Sequence, residues 1–146
     1  MRKEELIGAW RELGRDFVFG DGSVKPDIPR TSQIMYTPDG FMGVVNTPAN
    51  RPSPGDTRGR MDLDAVSAEA RAQAALGVVA YAARYEVEGD IVKHMLYSAI
   101  SPNLPGTTQL RRATIVGDDL TLATLPDDTG NYFRIRWRRA SRMERA

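Results

Sequence analysis

The feature that most constrains this sequence is its punctuation. Clusters of Gly, Pro, Asp and Asn recur at Asp21-Gly22, Pro38-Asp39-Gly40, Glu88-Gly89-Asp90, Gly117-Asp118-Asp119 and Asp127-Asp128-Thr129-Gly130, with short apolar segments between them. Such residues form the tight turns of antiparallel hairpins, because they tolerate positive φ or hydrogen-bond to their own backbone. The segments between them are predicted strands over residues 8–19, 32–37, 41–46, 79–87, 91–98, 107–116, 120–124 and 131–138. An open sheet of that many strands leaves two unpaired edges, and closing it removes both. The expected fold class is therefore all-β: an eight-stranded antiparallel barrel in a single domain over residues 1–146.

One stretch breaks the rhythm. Residues 47–63 contain Pro48, Pro52, Pro54, Gly55 and Gly59 and are expected to form an irregular loop. Residues 64–77 then read as a helix: Asp64 or Ser67 can cap it, Glu69 falls in the favourable first turn, and Ala65, Ala68, Ala72, Ala75 and Leu76 are helix formers. A loop and helix inserted into a meander suit a barrel with a lid or plug.

Composition removes whole classes of chemistry. With 20 basic against 19 acidic residues the net charge is +1, which lacks the surplus a nucleic-acid binder needs to displace counterions. The absence of cysteine excludes disulfides, thiolate nucleophiles and thiolate metal sites, and the single histidine, His94, excludes a multi-histidine centre within one chain. Neither a metal nor a cofactor is expected. The N-terminal MRKEELIGAW has no secretory apolar stretch behind it, and no run approaches the roughly 20 apolar residues of a membrane helix. A soluble, cytoplasmic protein without membrane or nucleic-acid partners is the expectation, with a homodimer open. A phosphate-cradling glycine loop, a nucleophile elbow and a His-Glu-x-x-His zinc motif are all missing, so kinase, hydrolase and dehydrogenase readings fall away.

Several short motifs occur in a fixed order. Leu6-Ile7-Gly8-Ala9-Trp10 supplies a Gly-x-Trp at the start of the first strand; Asp21-Gly22-Ser23-Val24, Met35-Tyr36-Thr37-Pro38-Asp39-Gly40-Phe41-Met42, Tyr81-Ala82-Ala83-Arg84-Tyr85-Glu86-Val87 and Gly106-Thr107-Thr108-Gln109-Leu110-Arg111-Arg112 follow. Across nearly its whole length the chain resembles the bacterial lipocalin-like domain family. The resemblance implies a small antiparallel β-barrel able to hold a small, largely apolar molecule. It also implies that an arginine near the end of the barrel, one of Arg134, Arg136 or Arg138, stacks on Trp10 as a structural closure. The sequence departs from the family at Leu104, where an aromatic is usual, and at Lys93-His94, where a doubled histidine is common.

Alternation along strands selects the side chains that can meet inside such a barrel, since i and i+2 share a face. Phe133, Ile135 and Trp137 form the apolar set of the last strand, and Arg134, Arg136 and Arg138 the outer one. The six arginines between Arg134 and Arg145 read as a solvated strand face and terminus, there being no aromatic platform for RNA. Tyr81 and Tyr85 share a face, and each phenol needs a hydroxyl partner or a polar ligand group. His94 is the natural proton-transfer candidate, but hydropathy does not choose between its own face and that of Lys93, Met95 and Tyr97. Gln109 and Arg111 share a face and offer an amide and a fixed positive charge to a carbonyl or carboxylate, unless Arg111 pairs with Glu86. The expected catalytic set is Tyr85, His94 and Arg111, and the expected ligand-binding set is Tyr36 (or its neighbour Met35), Met42, Tyr81, Gln109, Phe133, Ile135 and Trp137.

Two functions fit these residues. One is a cofactor-free isomerase or cyclase of secondary metabolism that folds a polyene, polyketide or similar substrate; the other is a non-catalytic carrier with the same cavity.

Overall fold

The computed structural model describes residues 1–144; Arg145, the last arginine of the basic terminus, lies outside the described residues. Its strands are β1 (Gly8–Val18), β2 (Val24–Pro26), β3 (Arg30–Tyr36), β4 (Phe41–Pro48), β5 (Val79–Glu88), β6 (Ile91–Ala99), β7 (Thr108–Val116), β8 (Asp119–Ala123) and β9 (Tyr132–Arg139). Each strand from β3 to β9 pairs antiparallel with the next, β1 pairs with β3, and a long β1–β9 ladder closes the circuit. The barrel is thus closed with eight strands. The ninth, β2, is an addition that sequence patterning missed, being only three exposed residues long.

β1 explains why an extra strand is needed. Its first half, Gly8 to Arg11, pairs with β3, whereas Asp16 to Val18 pair with β2, so the hairpin covers the edge of β1 that β3 leaves free. Between Glu12 and Gly14 the register with β9 shifts by a bulge. A bulge adds one residue and reverses which side chains face inward beyond it. Trp10 and Glu12 are inward before it; after it Arg15 and Phe17 pair with the inward Ile135 and Phe133. At the hairpin's tip a Cβ on Gly20 would run into the backbone carbonyl of Thr129, so only glycine fits that crossing.

The core gathers where β-branched and aromatic residues alternate inward: Ile34, Tyr36, Met42, Val44, Ala83, Tyr85, Val92, Leu96, Ala113, Leu120, Leu122 and Trp137 are buried together with Trp10 and Leu6. Leu6 belongs to a four-residue helix, α1 (Lys3–Leu6), which stoppers one end of the barrel. The closure differs from expectation in its arginine. Arg139, not Arg134, Arg136 or Arg138, lies 4.2 Å from the Trp10 ring centre. The reason is parity: position 139 continues the inward face of 135 and 137, whereas Arg134 and Arg136 meet Asp16 and Arg138 meets Asp119 on the outside.

The inserted helix is shorter than the predicted 64–77. α2 (Ala68–Ala75) is capped by Ser67, whose hydroxyl accepts from the Ala70 amide, and it buries none of its residues. It therefore plugs nothing. It is tethered between β4 and β5 by Arg51 donating to the Ala74 carbonyl and Arg30 donating to that of Gly77. A last short helix, α3 (Ala140–Met143), follows β9.

Candidate functional site

Opposite the α1 stopper the barrel retains a cavity of about 130 Å³ lined by inward residues of the strands, among them Ile34, Val44, Tyr81, Leu122, Ile135 and Trp137. Its polar lining consists of Arg15, Asn46, His94, Arg111 and the Tyr81 hydroxyl, with no aspartate or glutamate among the described residues. Phe133 and Val79 stand at the end where β4 ends and β5 begins.

A hydrogen-bonded chain of three side chains forms the polar wall. The Tyr36 hydroxyl is 2.8 Å from His94 Nε2, and the Tyr81 hydroxyl is 2.8 Å from His94 Nδ1. The strands bring them together: Tyr36 of β3, Tyr81 of β5 and His94 of β6 all point into the barrel, Val92, His94 and Leu96 being on the buried face of β6. His94 is 1% exposed. Burial, reinforced by the positive charge of Arg111, holds its pKa down to about 3, so the ring is neutral at pH 7.

A neutral imidazole donates from one nitrogen and accepts at the other, and the surroundings select which. Tyr36 is fully enclosed and His94 is its hydrogen-bond partner among the described residues. Were it to accept from Nε2–H, its own proton would be buried without an acceptor, at a cost of about 1–3 kcal/mol. Tyr36 therefore donates to Nε2, and Nδ1–H donates to the Tyr81 oxygen. The Tyr81 proton is then left to point into the cavity that Tyr81 lines. Burial raises the pKa of both phenols, most strongly that of Tyr36, and keeps them protonated.

The two arginines of the wall differ in their charge balance. Arg15 is met by Glu12 at 2.5 Å, itself buried, with Asp27 at 4.0 Å from its Nε. Arg111 has no carboxylate partner among the described residues: Nη1 donates to the Leu110 carbonyl, and the guanidinium carbon lies 5.9 Å from the Phe133 ring centre. Glu86 faces Lys93 across the ladder on the other side of the sheet, and so does not meet it.

Among the expected site residues, the cavity is lined by Tyr81, His94, Arg111, Phe133, Ile135 and Trp137. Tyr36 reaches it through His94. Met35 is on the outer face. Tyr85 and Met42 sit deeper, towards the stoppered end, because four residues along a strand is about 13 Å and Tyr85 is four beyond Tyr81. The Tyr85 hydroxyl is spent on the Thr37 carbonyl at 2.6 Å, with Lys3 Nζ 5.3 Å from its ring. Gln109 faces inward but donates to Thr107 Oγ1 outside the cavity lining. Arg15, Ile34, Val44, Asn46, Val79 and Leu122 were not expected there. Arg15 has a legible cause in hindsight, the Gly14 that accompanies the bulge.

Residues 30–140 match the lipocalin-like domain family. No curated protein matches the sequence. A lipocalin-like protein from Bacteroides uniformis of known crystal structure superimposes with a TM-score of 0.47 at 12% identity, covering 92% of this chain and 98% of that one. An uncharacterized protein from Bacteroides eggerthii gives 0.45 at 11% identity, covering 90% and 98%.

Proposed function

The chain belongs to the lipocalin-like domain family, and on that premise we propose that its barrel binds one small, largely apolar molecule. The supporting observation is the half-enclosed cavity of about 130 Å³, apolar on most sides and polar along one wall. Apolar cavities of about 150 Å³ accept benzene, so a single ring or a short chain fits, whereas a polyene held wholly inside does not. Among the described residues, no helix is long and apolar enough to cross a membrane.

Cofactor-free isomerisation or cyclisation is the second reading. It is favoured by the Tyr81 hydroxyl proton and the Arg111 guanidinium facing one cavity, a pair of donors suited to a developing oxyanion. It lacks a base: the lining has no carboxylate, and an imidazole with a pKa of about 3 abstracts protons poorly at pH 7. Passive binding therefore ranks first.

Titration with benzyl alcohol, followed by amide NMR shifts, tests the binding. Saturable shifts are expected at Val44, Tyr81, Leu122 and Ile135. Val44→Phe should abolish them while the circular dichroism spectrum stays that of the barrel. Shifts that do not saturate, or that survive the filled cavity, would remove the proposal.

A further inference from the structure

We propose that the preferred occupant of this cavity is a monoanion, a benzene-sized or short-chain carboxylic acid, whose carboxylate is held by Arg111 and the Tyr81 hydroxyl. The proposal rests on the barrel being a small-molecule site and specifies the chemical class.

Charge balance points to the anion. The other arginine that lines the cavity has its counterion in place: Arg15 is met by Glu12. Arg111 instead stands over apolar Phe133 with one donor on a neighbouring carbonyl, its remaining N–H groups unpartnered among the described residues. A guanidinium against apolar wall has lost part of its hydration without recovering it from a partner. Its forked donors match a carboxylate in two parallel bonds.

The hydrogen-bond direction points the same way. With Tyr36 donating to Nε2 and Nδ1–H donating to Tyr81, the group that this chain presents to the cavity is a donor. A donor beside an unbalanced cation recognises an oxygen anion and offers nothing to an ammonium. The absence of any carboxylate from the lining completes that discrimination. The side chains of Leu122 and Ile135 and the ring of Trp137 then take the body of the molecule.

The test compares benzoate with benzyl alcohol, equal in size and unequal in charge, by calorimetry or NMR titration at pH 7. Benzoate should bind at least about tenfold more tightly. Arg111→Gln should raise the benzoate Kd by about tenfold or more and leave benzyl alcohol within twofold, while Arg111→Lys retains part of the preference. Arg112→Gln is the charge control, since Arg112 is on the outer face with Asp90 at 3.2 Å; it should leave benzoate unchanged. If benzyl alcohol binds as tightly as benzoate to the unaltered protein, the anion assignment falls and the small-molecule site stands. Equal losses in Arg111→Gln and Arg112→Gln would reduce the effect to general surface charge and also overturn it. If neither compound binds the folded protein, both proposals fall.

Discussion

Arg139 lies over Trp10 with its guanidinium carbon 4.2 Å from the ring centre, and the same guanidinium donates to the carbonyls of Glu5 and Ile7 at 2.6 and 3.1 Å. The Trp10 indole N–H in turn donates to the Leu6 carbonyl at 2.9 Å. One end of the barrel is thus sealed by a ring, a cation and the chain leading into α1. Trp10→Ala should cost about 3–5 kcal/mol, as large aromatic core truncations do. Arg139→Ala should cost less, about 1–3 kcal/mol, since the carbonyls it frees can be hydrated. Urea unfolding of the two variants checks the order; an unchanged midpoint in Trp10→Ala would show that the seal contributes nothing.

His94 gives the stability a pH signature. Its folded pKa of about 3 is below its unfolded value of 6.5, so the unfolded chain binds the proton first. Stability is full above 6.5 and is lost as pH falls from 6.5 towards 3, at about 1.4 kcal/mol per unit. Between pH 6.5 and 5, where the carboxylates hardly titrate, that amounts to about 2 kcal/mol. His94→Gln should flatten this interval. Urea midpoints for both proteins at pH 7, 6 and 5 measure it, and parallel profiles would contradict the buried neutral ring.

The tautomer has its own readout. Long-range ¹H–¹⁵N spectra of His94 should place the proton on Nδ1, with Nε2 showing the shift of an acceptor. Tyr36→Phe should then be the costlier deletion, about 1–3 kcal/mol, because it strands Nε2 in a dry interior. Tyr81→Phe should cost less, since cavity water can reach Nδ1–H. The opposite order, or a proton found on Nε2, would reverse the polarity assigned to the wall.

These sites differ in how far the sequence discloses them. The turn clusters marked the hairpins because Gly and Asp act locally, within four residues, and the barrel closure followed from the cost of open edges. In β9, simple alternation separates Phe133, Ile135 and Trp137 from the arginines, and the strand runs without a bulge. Arg15 was hidden because alternation from Trp10 points it outward, and only the register shift at Glu12/Gly14 turns it in. Arg139 was hidden by an expected strand end one residue too early. The Tyr36–His94–Tyr81 chain was beyond pattern reading, because β3 and β6 are not neighbours in the sheet and meet only across the curvature of the barrel. α1 has four residues, too short for any periodic signal.

Two tyrosines on one face of β5 separate ligand contact from packing. The Tyr85 hydroxyl is committed to the Thr37 carbonyl at 2.6 Å near the stoppered end, whereas Tyr81 lines the cavity with its proton free. Tyr85→Phe should therefore lower stability by about 1 kcal/mol and leave the benzoate Kd unchanged. Tyr81→Phe should raise that Kd by about five- to tenfold, the worth of one hydrogen bond to a charged oxygen, with benzyl alcohol affected less. Calorimetric titration of both variants, after thermal scans establish that each is folded, makes the comparison. Equal affinities in Tyr81→Phe and the unaltered protein would mean that the phenol does not face the ligand, and His94 would then have to donate through Nε2 instead.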